Sequence, residues 1–312
     1  MSWRIYEQFA SDRINGEDVE FDFDRIRVRG AASGERIGGV VQLELAADDW
    51  DRRQPGTTVD VIFDAYLDYR LNERYQLRAG QFKTPLGLDF SLAPNVMEIT
   101  KRGMDFSLVL NRATGVMLSG RGFGRGFGYD AGLFNLAGRS GATSYTDSQE
   151  GDEYAWVLRG HYGAESWRLE LAHGETGSAG GPGTADYRVS DVGWEFDRDK
   201  LILKYEWIGG RGVRGDAARR ERVYYVHGAY RIRDEFELLI RHFDGHSSIA
   251  GAGTDLSNTY LGMTWHAFER DELNGRLQVN YVVAGGDKAA YSGLRGYRDD
   301  ALLAQFQFLF AR

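Results

Sequence analysis

Cysteine is absent from the 312 residues, so disulfides and thiolate chemistry are excluded. That suits an oxidising compartment, although many cytosolic chains also lack the residue. No run of 18 or more apolar residues occurs, which excludes a membrane protein built from helices. A β-barrel escapes that test, because only alternate residues of each strand need to face lipid. Positive net charge is lacking too: the formal balance is -8, whereas a nucleic-acid binder is usually basic. The start, Met1-Ser2-Trp3, carries no apolar leader. An exported protein needs one, so we read a mature form with an added Met. Proline is scarce, at 4 residues.

Against these gaps stand 41 Gly, 17 Tyr and 17 Phe, a composition suited to strands and turns. Hydrophobic residues make up 42%. Helical periodicity is poor, and alternation with period two recurs instead. Val59, Val61, Phe63, Ala65, Leu67 and Tyr69 alternate with Asp60, Ile62, Asp64, Tyr66, Asp68 and Arg70. On a helix that apolar set would wind all round; on a strand it takes one face and the three Asp the other. Likewise Leu201, Leu203, Tyr205 and Trp207 oppose Lys204 and Glu206. Tyr224, Val226, Tyr230 and Ile232 oppose Tyr225, His227 and Arg231. Leu277, Val279, Tyr281 and Val283 oppose Arg276, Gln278 and Asn280, and Phe306, Phe308 and Phe310 alternate with Gln305 and Gln307.

The pattern predicts strands over 3–10, 18–30, 37–48, 58–71, 75–83, 112–121, 127–137, 153–163, 166–176, 186–197, 200–210, 221–232, 235–244, 257–268, 274–285 and 297–310. That is about sixteen, most near the length that crosses a tilted bilayer. In the second strand the face switches between Asp22 and Ile26, which predicts a bulge near Asp24-Arg25. Short connections, such as 71–74, 163–165, 197–199 and 233–234, alternate with long ones at 138–152, 177–185, 211–220, 245–256 and 286–296. An outer-membrane barrel has this rhythm, with tight periplasmic turns and long external loops. The longest stretch, between Lys83 and Asn111, is long enough to carry function and is the natural constriction of an open lumen. A soluble all-β protein also alternates. The mixed charges of the polar face weigh against it. So do aromatics near strand ends, which would form interfacial girdles: Tyr154, Tyr162, Tyr187, Trp194, Trp207, Tyr260 and Trp265. The expected fold is an all-β transmembrane antiparallel barrel, one domain over 1–312.

Signals for chemistry are weak. Neither Gly-x-Ser-x-Gly nor His-Glu-x-x-His occurs. His161, His173, His227, His242, His246 and His266 show no metal-ligand spacing, although His242 and His246 would sit near one strand tip. The repeat from Arg121 to Gly128 falls at a turn and is no phosphate loop. Acidic residues in 147–153 would bind Ca²⁺ weakly, but an acidic external loop needs no ion.

Three runs carry a family resemblance: Phe63-Asp64-Ala65-Tyr66-Leu67-Asp68-Tyr69, Arg78-Ala79-Gly80-Gln81-Phe82-Lys83-Thr84-Pro85-Leu86-Gly87-Leu88, and Asn111-Arg112-Ala113-Thr114-Gly115-Val116-Met117-Leu118-Ser119-Gly120. With Ala131-Gly132-Leu133-Phe134-Asn135 they resemble the phosphate-selective porin O and P family, about a quarter of the chain matching well. The resemblance implies a sixteen-stranded trimeric porin that passes anions through basic side chains. By position, Lys83, Lys101, Arg102 and Arg112 would be constriction candidates. Arg25, Arg27 and Arg29 would start a wall ladder, with Arg78 nearby. Here the loop reads Met97-Glu98-Ile99-Thr100-Lys101-Arg102-Gly103-Met104, where the family carries an Ile-Thr-Phe-Met-Glu-Arg-like run. Ala311 and Arg312 follow the expected terminal aromatic.

Arg25, Arg27 and Arg29 have the i, i+2 spacing of one strand face, and arginine captures oxyanions bidentately. The plainer reading pairs them with the opposing lumen carboxylates Asp60, Asp64 and Asp68, merely neutralising the wall. Glu98 and Asp105 offset Lys101 and Arg102. In a narrow channel one or two charges decide selectivity, whatever the net -8. The expected function is passive diffusion of small hydrophilic solutes across the bacterial outer membrane, with preference for anions such as phosphate. The alternatives are a non-selective or cation-preferring porin and a barrel enzyme with a rim site. Expected partners are small solutes and anions, outer-membrane lipid and lipopolysaccharide, and sister copies in a homotrimer. No nucleic acid, cofactor, metal or catalytic residue is expected.

Overall fold

The computed structural model describes residues 2–14, 20–47, 61–124, 126–135, 154–177, 185–270, 272–287 and 294–311. Sixteen strands close on themselves, each antiparallel to its neighbours in chain order. They are β1 (Ser2–Ile14), β2 (Glu20–Ser33), β3 (Ile37–Ala47), β4 (Ile62–Arg70), β5 (Tyr75–Lys83), β6 (Arg112–Phe123), β7 (Phe127–Asn135) and β8 (Tyr154–Ala164). There follow β9 (Trp167–Thr176), β10 (Tyr187–Arg198), β11 (Leu201–Arg211), β12 (Arg219–Arg233), β13 (Phe236–Ile249), β14 (Ala252–Arg270), β15 (Leu273–Gly286) and β16 (Ala301–Ala311). Pairing of β1 with β16, Ile5 opposite Phe310, shuts the barrel and leaves no edge strand exposed.

The alternation read from the sequence becomes the two faces of this wall. Leu67, Val116, Leu158, Leu171, Val226, Ile240, Leu261 and Val283 are exposed, all on one parity of their strands. Lys204, Glu206, Arg241, Gln278, Asn280 and Gln305 are buried on the other. A water-soluble protein rarely exposes an apolar band of that extent; a barrel in lipid requires it. Two residues proposed for the aromatic girdle are corrected: Tyr187 and Tyr260 are fully buried on the inner face.

At one end the links are residues 34–36, 71–74, 124–126, 165–166, 199–200, 234–235 and 271–272. At the other they are 15–19, 48–61, 84–111, 136–153, 177–186, 212–218, 250–251 and 287–300. The rhythm holds with one correction. The expected long loop at 245–256 is absent, because β13 and β14 run on to a two-residue hairpin. Ala250 (φ 50) and Gly251 (φ 89) adopt the left-handed backbone that such turns need.

Two bulges change which face a strand presents. The β1–β2 register passes from Gln8–Arg25 to Phe9–Phe23, so Asp24 is the extra residue where the sequence predicts one. The β3–β4 register skips Phe63 in the same way. Phe63 was expected on the lipid face; the bulge turns it inward, where it is buried.

Candidate functional site

The segment between β5 and β6 holds one turn of helix, α1 (Leu88–Ser91), and two 3₁₀ turns, at Pro94–Val96 and Met104–Ser107. Its neck is built by the run that carries the family resemblance. Gly80 has φ 130, and a Cβ there would lie 2.2 Å from the Ala65 carbonyl oxygen, so only glycine fits. The Gln81 amide donates to the carbonyls of Ile62 (2.8 Å) and Phe63 (3.2 Å), steadying the bulge. Thr84 ties the two ends of the segment together: its N–H donates to Asn111 O at 3.1 Å and its hydroxyl to Leu110 O. Gly87 (φ 89) turns the chain into α1.

Both ends of α1 are capped by side chains from elsewhere, because a single helical turn leaves most of its backbone groups without partners. At its start Gly87 N–H donates to Asp191 Oδ2 on β10 (3.0 Å), and Leu88 N–H to Glu206 Oε1 on β11 (3.0 Å). At its finish Lys83 Nζ donates to the carbonyls of Phe90 and Leu92, both at 2.6 Å. Arg102 donates to those of Asp89 (2.8 Å) and Leu92 (2.9 Å). The remainder fastens to the wall opposite β5 and β6. Asp89 and Glu98 pair with Arg241 on β13, the Glu98 contact at 3.1 Å. Lys204 on β11 meets Glu98 at 2.5 Å, Glu195 at 3.4 Å and Asp89 at 3.6 Å. Thr100 N–H donates to Asn280 Oδ1 on β15 (2.9 Å), Gln278 to Met97 O (3.0 Å), and Tyr187 to Leu108 O (2.6 Å). Within the segment, burial and the nearby Asp89 carboxylate push the Asp105 carboxyl up to about 7.

The basic residues named from the sequence separate into groups. Lys83, Arg102, Arg27 and Arg112 gather at the neck. Arg27 Nε contacts Glu44 Oε2 at 2.5 Å, and Arg112 Nε contacts Asp64 Oδ1 at 2.8 Å. Both guanidiniums stack on the bulged Phe63 ring, at 3.9 and 3.5 Å from its centroid. Arg25 adds its field to Arg27 and Arg102. Arg78 forms a two-point bridge to Asp68 (2.7 and 3.0 Å) and faces a cavity of ≈ 440 Å³ together with Arg29, Arg36 and Arg70. The expected pairing of Arg27 with the lumen aspartates is therefore corrected: Arg27 binds Glu44 on the adjacent strand, while Asp64 binds Arg112 and Asp68 binds Arg78. Asp60 and residues 147–153 lie outside the described residues.

Sequence reasoning missed Glu44, the inward role of Phe63, the far-wall residues Asp191 and Arg241, and the part that Lys204 and Glu206, already placed on the polar face, play in holding the segment. Glu44 and Arg241 had a usable signal, as charges on the polar parity of their strands. Phe63 had none without the register. A second cavity, of ≈ 470 Å³, lies between the segment and β10–β16. It is lined by five carboxylates (Glu98, Glu195, Asp197, Glu237 and Glu269) against Lys204, Arg231 and Arg276. His242 and His246 do not converge: each bonds a different residue, Thr259 (2.8 Å) and Asp255 (2.6 Å). Among the described residues no group of three or more His, Asp or Glu could hold a metal ion.

A closed sixteen-stranded barrel, apolar outside and charged inside, defines a porin-type channel of the outer membrane. The family model for phosphate-selective porin O and P matches residues 5–165, over half of the chain, and the chain belongs to that family. Among solved structures, an anion-selective porin from Comamonas acidovorans aligns with a TM-score of 0.70 at 11% identity, covering 100% of this chain and 99% of that one. The outer membrane protein OmpT of Vibrio cholerae, in a trimer form, gives 0.68 at 12% identity, with 100% and 99% covered. OmpF of Salmonella typhi, in complex with daunomycin, gives 0.67 at 14% identity, with 99% and 97% covered. At these identities the likeness speaks for the fold. No curated protein matches the sequence.

Proposed function

We propose that the protein is a diffusion channel for small hydrophilic solutes with preference for anions, narrowed by residues 84–110 and assembled as a homotrimer. The observation that carries the preference is how the neck cations are bound. Lys83 and Arg102 direct their donors to main-chain carbonyls rather than to a carboxylate. Arg27 bridges Glu44 and Arg112 bridges Asp64, and Arg25 stands beside them. In a narrow low-dielectric passage such an excess attracts anions and repels cations. The family's description supports phosphate as the favoured solute, and the trimer form of the Vibrio cholerae OmpT structure supports the trimer.

A cation-preferring channel is the second reading, favoured by the five carboxylates of the larger cavity. Reversal potential across a planar bilayer under a KCl gradient decides between them. Anion sign, with phosphate competing against chloride, supports the first reading; cation sign sinks it. Unheated gel migration at three chain masses tests the trimer.

A further inference from the structure

The lipid-facing side of β10–β13 changes character near the long-link end. Pairing places Arg188 opposite Arg211 and Arg211 opposite Arg220, so three arginines stand abreast on the outer face. Arg222, two residues along β12 on the same face, lies opposite His246. The next outward pair is Trp207 and Tyr224, which oppose each other. A groove of ≈ 520 Å³ on this face is lined by Arg188, Arg211, Arg220, Arg222, Trp207 and His246.

Like charges directly opposite each other on a sheet destabilise it. Arg188 is relieved by Glu175 at 2.7 Å, and His246 bonds Asp255 at 2.6 Å. Arg211, Arg220 and Arg222 meet no carboxylate among the described residues. Four residues separate Arg211 from Trp207 and Arg220 from Tyr224, roughly 13 Å of strand. Trp and Tyr of a barrel sit at the membrane interface, so the arginines lie at headgroup level, pointing away from the lumen. Permeating solutes do not pass there; lipid headgroups do.

We propose that Arg211, Arg220 and Arg222 bind the phosphates of an anionic outer-leaflet glycolipid, whose acyl region lies along Trp207 and Tyr224. This rests on the long-link end being the external face. The planar guanidinium matches a phosphate oxygen pair in a way that a surface lysine does not.

The test uses the folded protein in phosphatidylcholine nanodiscs doped with bisphosphorylated lipid A or with its dephosphorylated form. Retained lipid is read by native mass spectrometry. The wild type should retain the phosphorylated form at least about tenfold better, because each arginine near an anionic surface adds to the attraction. Arg211→Gln/Arg220→Gln/Arg222→Gln should abolish the preference, and Arg220→Gln alone should reduce it. Arg70→Gln/Arg74→Gln/Arg198→Gln, at the short-turn end, should keep it. Equal retention of the two lipids, an unchanged preference in the first triple variant, or equal loss in the second overturns the proposal. Displacement of lipid A by excess inorganic phosphate also overturns it, because the patch would then read free anions. Conductance of the same samples reports on the channel separately.

Discussion

Along β2–β6 three inward cations bridge carboxylates of the wall: Arg27 with Glu44, Arg112 with Asp64 and Arg78 with Asp68. Along β10–β13 two buried cations, Lys204 and Arg241, share Asp89, Glu98 and Glu195. The near wall carries discrete pairs, stacked on one aromatic ring, with Lys83 and Arg102 adding charge beside them. The far wall carries a network whose partners belong largely to the crossing segment. Removing a near-wall cation should therefore alter which ions pass. Removing a far-wall cation should release the segment from that wall.

Arg241→Met tests the far wall and should have the largest effect. It leaves Asp89 and Glu98 buried beside a single cation, and breaking a buried pair costs about 3–5 kcal/mol. The expected outcome is a larger single-channel conductance and faster proteolysis between residues 84 and 110, with the reversal potential little changed. A changed sign of selectivity at unchanged conductance would erase the distinction between the walls.

Gly80→Ala tests the neck. The new Cβ would meet the Ala65 backbone in a conformation that alanine resists, at about 1–3 kcal/mol. Lower yield of heat-modifiable folded barrel at unchanged selectivity is expected. Wild-type folding would show that this glycine is not required for the turn. Next comes Arg27→Gln/Arg112→Gln, which leaves Glu44 and Asp64 without their bridges. Anion over cation permeability should fall about tenfold in a KCl gradient, since the focused field near the neck loses two charges. An unaltered ratio would assign selectivity to Lys83 and Arg102 alone.

Much of this was legible because lipid imposes a strict period on the wall. The strand expected over 75–83 is β5, and the bulge at Asp24 showed as a slip in parity. The period fades where both faces are polar. His246, Ser247 and Ser248 lie beyond the apolar band, so β13 and β14 read as a long loop there. Charge partners depend on register, which parity does not supply. Arg27 faces Glu44 only because β2 and β3 slip past one another at Leu45. The capping of α1 by Asp191 and Glu206 joins residues over a hundred positions apart, with no local signal in either strand.

The smallest expected effect separates the segment's own charge from that of the wall. Asp105 lies in the 3₁₀ turn at Met104–Ser107, buried, and its Oδ1 has no hydrogen-bond partner. Burial and Asp89 raise its carboxyl from 3.8 to about 7. A carboxyl raised on folding costs nothing below its unfolded value. The cost grows as pH climbs from 3.8 towards 7, then stays constant. Asp105→Asn removes that dependence, so the variant should match the wild type near pH 4 and exceed its thermal stability at pH 8 by on the order of 1 kcal/mol. Conductance that rises with pH in the wild type, but not in the variant, would place the same titration on the docking of the segment. A variant less stable than the wild type at pH 8 would mean that Asp105 is held as a carboxylate by Arg102 and Arg241, and that the segment, like the far wall, is built from ion pairs.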